Sequence, residues 1–149
     1  LWLKKTNHQL LIAESCTGGL LTQLLCQKPG ISKYLLESVI TYSNQSKTKY
    51  CHVEPKLFDT AGAVSAECAI AMATGLLKRS NTGSLSIAIT GIAGPSGGSS
   101  QKPVGTVFIA VANHKTHIVK KLQLQPDRTR IQRFSAYHAI QLCQSIPSF

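Results

Sequence analysis

Ala13-Glu14-Ser15-Cys16-Thr17-Gly18-Gly19 stands between the apolar run Leu10-Leu11-Ile12 and a stretch of helix formers, Leu20-Leu21-Thr22-Gln23-Leu24-Leu25. A short apolar run, then polar residues with paired glycines, then helix formers is the pattern of a buried strand turning into a helix in an α/β sheet. Small ligands of open α/β sheets sit at such turns, outside the carboxyl ends of the strands. Glycines let a ligand approach the main chain, the first N–H groups of the helix favour an anion, and Ser15 and Cys16 each offer a nucleophile. Taken alone, the stretch reads equally well as an ordinary strand-to-helix turn with a Ser/Thr cap.

Outward from this turn, the chain of 149 residues predicts one domain, 1–149, with enough length for a real core. No apolar run approaches the roughly 18 residues of a membrane span, and Leu1 to Lys5 lack the apolar centre of a signal peptide. The five cysteines are an odd number without a C-x-x-C pair. Reduced thiols in a soluble, cytoplasmic protein are therefore expected, rather than zinc or a disulfide framework. A first residue other than Met points to a chain truncated or trimmed at that end. The net charge of +10 implies an acidic partner or an anionic ligand. The basic residues are spread along the chain without interleaved aromatics, so nucleic acid is the weaker explanation and a phosphorylated small molecule the stronger one.

The remaining elements follow from local signals. Residues 1–8 read as the end of a helix closed by Asn7, and strand one as residues 9–13. Residues 19–28 form a helix stopped by Pro29-Gly30, residues 31–36 a short turn of helix, and residues 38–42 a second strand rich in β-branched residues. Ser43 or Asn44 caps a helix that contains Lys47. Ser65 caps a longer one, with Ala69, Met72, Ala73, Leu76 and Leu77 at helical spacing. Residues 84–90 make strand three, followed by a glycine-rich loop over 91–100. Residues 105–112 and 117–124 form an antiparallel hairpin. Asp127 caps the last helix. On it Ile131, Ala139, Leu142 and Ile146 share one face, with Arg130, Arg133, Tyr137, Gln141 and Gln144 opposite. At about 100° per residue, Arg128 falls on the inner side of this helix, where Glu14 or Asp127 is its expected carboxylate partner.

Among motifs, 91–98 supplies neither G-x-G-x-x-G nor a P-loop, which argues against a dehydrogenase or a kinase. Ser99 to Lys102 matches S-x-x-K, but Pro103 follows at once and no helix can hold the pair.

Read together, the turn at 13–19, Thr41-Tyr42-Ser43-Asn44 with Lys47, Gly62-Ala63-Val64-Ser65, Thr90-Gly91-Ile92-Ala93-Gly94-Pro95 and Lys102-Pro103-Val104-Gly105-Thr106-Val107 closely resemble the CinA C-terminal domain family. The resemblance implies a three-layer α/β/α sandwich on a mixed, mostly parallel five-stranded sheet. It also implies amidohydrolase activity, converting nicotinamide mononucleotide to nicotinic acid mononucleotide and ammonia. The family's Ser, Tyr and Lys fall on Ser15, Tyr42 and Lys47, and its Asp-Arg pair on Asp127-Arg128. The sequence departs from the family pattern at Glu37-Ser38, where glycine is usual before strand two, and in a shorter leading helix.

Carboxamide hydrolysis needs a nucleophile, a proton acceptor, donors for the oxyanion and an acid for departing ammonia. Ser15 is the expected nucleophile, with Lys47 and Tyr42 sharing the proton transfers. Desolvation or a neighbouring cation such as Arg128 would make neutral Lys47 accessible. Main-chain N–H groups of Thr17, Gly18 and Gly19, or of the loop containing Gly91, Ala93 and Gly94, would hold the oxyanion or the 5′-phosphate. Asn44, Thr90 and Arg128 complete the expected substrate-binding set. No cofactor is expected, and no metal-ligand set is present in the sequence. A non-catalytic module for a phosphorylated ligand or nucleic acid, and an amidase for another small carboxamide, are the alternatives. Self-association as a homo-oligomer is left open.

Overall fold

The computed structural model describes residues 2–146. In chain order the elements are α1 (Trp2–Thr6), β1 (Leu10–Glu14), α2 (Leu20–Cys26), a 3₁₀ turn (Ile31–Lys33), β2 (Leu35–Ile40), α3 (Asn44–Cys51), α4 (Pro55–Thr60), α5 (Ala66–Arg79), β3 (Leu85–Gly91), β4 (Thr106–Asn113), β5 (His117–Gln123) and α6 (Arg128–Ser145). The strands form one sheet in the order β2-β1-β3-β4-β5. β1 pairs in parallel with β2 and β3, whereas β4 is antiparallel to both β3 and β5. Four strands thus run one way and β4 runs back, the mixed, mostly parallel sheet of the expected α/β/α sandwich.

Strand alternation sorts the side chains into two layers. Leu10, Ile12, Ile87, Ile89, Ile109 and Val111 face one side and pack with Leu21, Leu25, Ile131, Ala136 and Ala139 of α2 and α6. Leu11, Ala13, Ala88, Ala110 and Ala112 face the other, against Met72, Ala73, Leu76 and Leu77 of α5 and Cys51 of α3. The alanines let α5 approach closely, and the Ser86 hydroxyl donates to the Ala73 carbonyl at 2.7 Å. Where α5 passes α3, a Cβ on Gly75 would lie 1.7 Å from the Cys51 carbonyl oxygen. Two backbones cannot both yield there, so Gly75→Ala should lower unfolding free energy by about 3 kcal/mol in urea denaturation.

Local expectations and outcome differ at four places. β2 runs over 35–40 rather than 38–42, because its ladder with β1 starts at Leu35 opposite Leu10. Thr41 and Tyr42 lie just past its end. The short helix expected over 31–36 is confined to Ile31–Lys33, so that Leu35 can enter the sheet. α4 was not anticipated from the sequence, although Pro55 at its first turn is a start signal. Asn7, at φ 53°, closes α1 as expected; Leu1, the start of the expected helix, lies outside the described residues. Glu37 and Ser38 sit within β2: Glu37 pairs with Arg79, and the Ser38 hydroxyl bonds that of Thr22. On α6 Ile131, Ala139 and Ile146 are buried and Leu142 half-buried, with Arg130, Arg133, Tyr137, Gln141 and Gln144 exposed as predicted. Arg128, expected on the inner side, is exposed instead, because it sits at the first residue of the helix, beyond the edge of the packed face.

Candidate active site

Alternation along β1 sends Glu14 toward α2. Its wholly buried carboxylate accepts from the N–H groups of Gly19 at 3.1 Å, Leu21 at 3.1 Å and Thr22 at 2.8 Å, and from the Thr22 hydroxyl at 2.6 Å. A carboxylate from the chain itself thus satisfies the positive end of α2. This corrects the expectation that these N–H groups await an anionic ligand. Gly18 N–H is also committed, to the Ser15 carbonyl at 3.0 Å. The two glycines serve conformation instead, at φ 61° and 100°. Among the described residues, the N–H group of Thr17 has no acceptor, and that of Cys16 meets only its own thiol, a weak one.

Ser15 meets Lys47. α3 begins with a reciprocal cap in which Ser46 N–H donates to Ser43 Oγ and Ser43 N–H to Ser46 Oγ, each at 3.1 Å. One turn on, Lys47 turns inward with 2 % of its surface exposed. Its Nζ lies 3.0 Å from Ser15 Oγ and 2.9 Å from the Thr41 carbonyl. Burial lowers the Lys47 pKa from its ordinary value. The neighbouring thiols are themselves pushed up by burial, Cys16 and Cys51 to about 12 and Cys68 to about 11. They are uncharged near neutrality and cannot hold Lys47 protonated. Desolvation, rather than the expected proximity of Arg128, is the force that makes the neutral amine accessible. The same burial leaves Cys16 a poor nucleophile; its sulfur packs against Gly91, where a Cβ would come within 3.1 Å of it.

Ser15, Cys16, Tyr42, Asn44, Lys47, Thr90, Gly91, Ala93, Gly94 and Arg128 all line one cleft of about 290 Å³ at the carboxyl ends of β1 and β3. The topology therefore brings together all the predicted site residues except Thr17, Gly18 and Gly19. The Thr90 hydroxyl donates to the Ala63 carbonyl at 2.7 Å and ties the strand end to the approach of α5. Asn44 opens α3 at the rim.

Arg128 reaches over this cleft to partners other than those expected. It donates to the Gly94 carbonyl at 2.6 Å and to the Tyr42 hydroxyl at 3.0 Å. Glu14 is committed to α2, and Asp127 accepts from Arg130 N–H at 3.0 Å as the helix cap. Tyr42 is 59 % exposed and stands at the mouth beside Arg128. The N–H groups of Ala93 and Gly94 carry no acceptor among the described residues. Ser99 and Lys102 form only a surface turn, with Lys102 Nζ on the Ala61 carbonyl at 2.7 Å.

Sequence reasoning missed Gln132, whose Nε2 donates to the Cys16 carbonyl at 2.9 Å. A lone glutamine on a helix carries no sequence signal. All five thiols are free. Among the described residues, no three His, Cys, Asp or Glu side chains gather into a metal site, and no helix is long and apolar enough to cross a membrane.

Residues 1–146 match the family described as the CinA C-terminal domain. A CinA-like protein of Geotalea uraniireducens is 43 % identical over 137 residues, which cover 92 % of this chain and 32 % of that protein. The chain thus spans about a third of the length of the curated relatives it matches. Among solved structures, the competence damage-inducible protein A of Klebsiella pneumoniae superposes with a TM-score of 0.90 at 28 % identity, covering 97 % of this chain and 89 % of that one. A CinA superfamily protein of Escherichia coli gives 0.89 at 33 % identity, covering 95 % and 83 %.

Proposed function

The chain belongs to the CinA C-terminal domain family, and from that premise we propose that it is a serine amidohydrolase acting on the carboxamide of nicotinamide mononucleotide. The observation that carries this reading is the buried Lys47 Nζ, 3.0 Å from Ser15 Oγ at a cleft floor. A lysine whose charge is disfavoured by burial, in hydrogen-bond contact with a serine hydroxyl, is a base paired with a nucleophile.

Neutral Lys47 takes the Ser15 proton as Oγ attacks the carboxamide carbon. The N–H groups of Cys16 and Thr17, directly after the nucleophile, receive the developing oxyanion. The Lys47 ammonium then returns the proton to the leaving nitrogen, and ammonia departs from the acyl-serine. Water, deprotonated by Lys47, attacks the ester and releases the pyridine carboxylic acid and free Ser15. Tyr42, at the mouth, assists in orienting the substrate and in proton exchange with solvent.

The phosphate falls to Arg128 and the free N–H groups of Ala93 and Gly94. Two of the five guanidinium N–H donors are used by Gly94 and Tyr42, which leaves others for an anion. Arg128→Ala should raise KM for nicotinamide mononucleotide roughly tenfold to a hundredfold, the value of a charge-assisted hydrogen bond. The riboside without phosphate should be affected little, and exposed Arg130→Ala should leave both substrates alone. Equal losses on both substrates would remove Arg128 from phosphate binding.

The direct test is release of ammonia and nicotinic acid mononucleotide, in equal amounts, from nicotinamide mononucleotide by the purified chain. Inactivity on this substrate with turnover of another small carboxamide would keep the chemistry and overturn the substrate.

A further inference from the structure

Gln132 reaches from α6 across 116 positions of sequence to the carbonyl of Cys16, the residue after the proposed nucleophile. Only the amide nitrogen can face a carbonyl oxygen, so the orientation of this side chain is determined by its partner. A planar trans peptide points its C=O and N–H in opposite directions. With the Cys16 oxygen drawn toward α6, the Thr17 N–H of the same peptide is turned away from α6. That N–H has no acceptor among the described residues, and the Cys16 N–H before it meets only its own thiol. The neighbouring donors of this turn are occupied, Gly18 by the Ser15 carbonyl and Gly19 by Glu14. The turn thus leaves the Thr17 N–H open and the Cys16 N–H held only by a weak sulfur acceptor, and one side chain clamps the peptide between them.

We propose that Gln132 is a positioning residue for the oxyanion hole. It holds the Cys16–Thr17 peptide so that its N–H faces the oxygen that becomes negative during attack. Its hydrogen bond to the carbonyl also polarises that peptide and strengthens the N–H as a donor. The inference rests on the reading of Ser15 as nucleophile. Its rival is a purely structural tether of α6, the helix that also carries Arg128.

The test uses Gln132→Leu, which keeps volume and removes the donor, and a fluorophosphonate probe. Ser15 attacks phosphorus, the P–F bond breaks, fluoride leaves and the hydroxyl proton passes to Lys47. The P=O oxygen needs the same donors as a carboxamide oxygen, yet the probe carries no nucleotide. Losing one direct oxyanion donor costs about a hundredfold to a thousandfold, so loss of its support should slow labelling by about tenfold or more. The affinity for nicotinic acid mononucleotide, measured by calorimetry, should stay unchanged. Labelling at the wild-type rate overturns the inference, and so does a nucleotide affinity that falls by the same factor, which identifies a tether. Failure of the wild-type chain itself to label at Ser15 overturns the serine mechanism first and this inference with it. If Gln132→Leu does not fold, Gln132→Asn withdraws the amide by one methylene and is read the same way.

Discussion

Ser15→Ala is expected to reduce turnover of the mononucleotide by about a thousandfold or more while leaving the fold and ligand affinity in place. Deleting the attacking group of a nucleophile–base pair removes the covalent route, and only binding and oxyanion stabilisation remain. The change withdraws no packing atom beyond the hydroxyl oxygen. Lys47 keeps its bond to the Thr41 carbonyl, so no buried group is left without a partner. Steady-state ammonia release and calorimetric binding of the product separate the two effects. Near-normal turnover would eliminate the mechanism. Cys16→Ser is the accompanying control and should retain activity, since that thiol is buried and pushed up to about 12.

Lys47→Met is expected to remove activity to a similar extent for a different reason, and it carries a pH signature. Burial holds the Lys47 pKa below the usual 10.5, so kcat/KM of the wild-type chain should rise with pH along a limb below that value. Lys47→Arg should be as inactive as Lys47→Met, because a guanidinium does not deprotonate in this range. Stability changes in the same window. Between the lowered folded pKa and 10.5 the unfolded chain binds more protons than the folded one, so unfolding free energy climbs as pH rises through that window. Below it, the folded state bears the full cost of burying an ammonium. The buried thiols, pushed up to about 11 or 12, give the opposite slope above pH 9 in both chains, so the Lys47 contribution is read as the difference between wild type and Lys47→Met in urea denaturation across pH. The variant should be at least as stable near neutrality. A wild-type kcat/KM flat with pH, or an active Lys47→Arg, would exclude Lys47 as the base.

Much of the fold was legible because its signals are local. The strand-to-helix turns, the caps at Ser65 and Asp127, the hairpin of β4 and β5 and the two faces of α6 each depend on residues within a turn or two of one another. Periodicity and capping are short-range effects, and they survive being read without a partner. The edges of β2 were misplaced because a strand's limits are set by its ladder with β1, which lies far away in sequence.

At the cleft the division is sharper. Ser15 was named from its strand-to-helix turn, Arg128 from its place on the last helix, and Tyr42 and Lys47 from the resemblance to the CinA C-terminal domain family; the sheet's topology collects them by ending β1 and β3 side by side. Their partners were not readable. Glu14 was a candidate counter-ion for Arg128, yet strand alternation turns it to α2, where four donors hold it. Arg128 is left to a carbonyl and a phenol that lie 34 and 86 positions away. Gln132 gave no sign of a role at all. Composition and spacing determined which groups this chain possesses and which helix or strand end carries each. Only the packed structure decided which group is desolvated and which donors stay unpaired, because burial and hydrogen-bond competition depend on every neighbour in space at once.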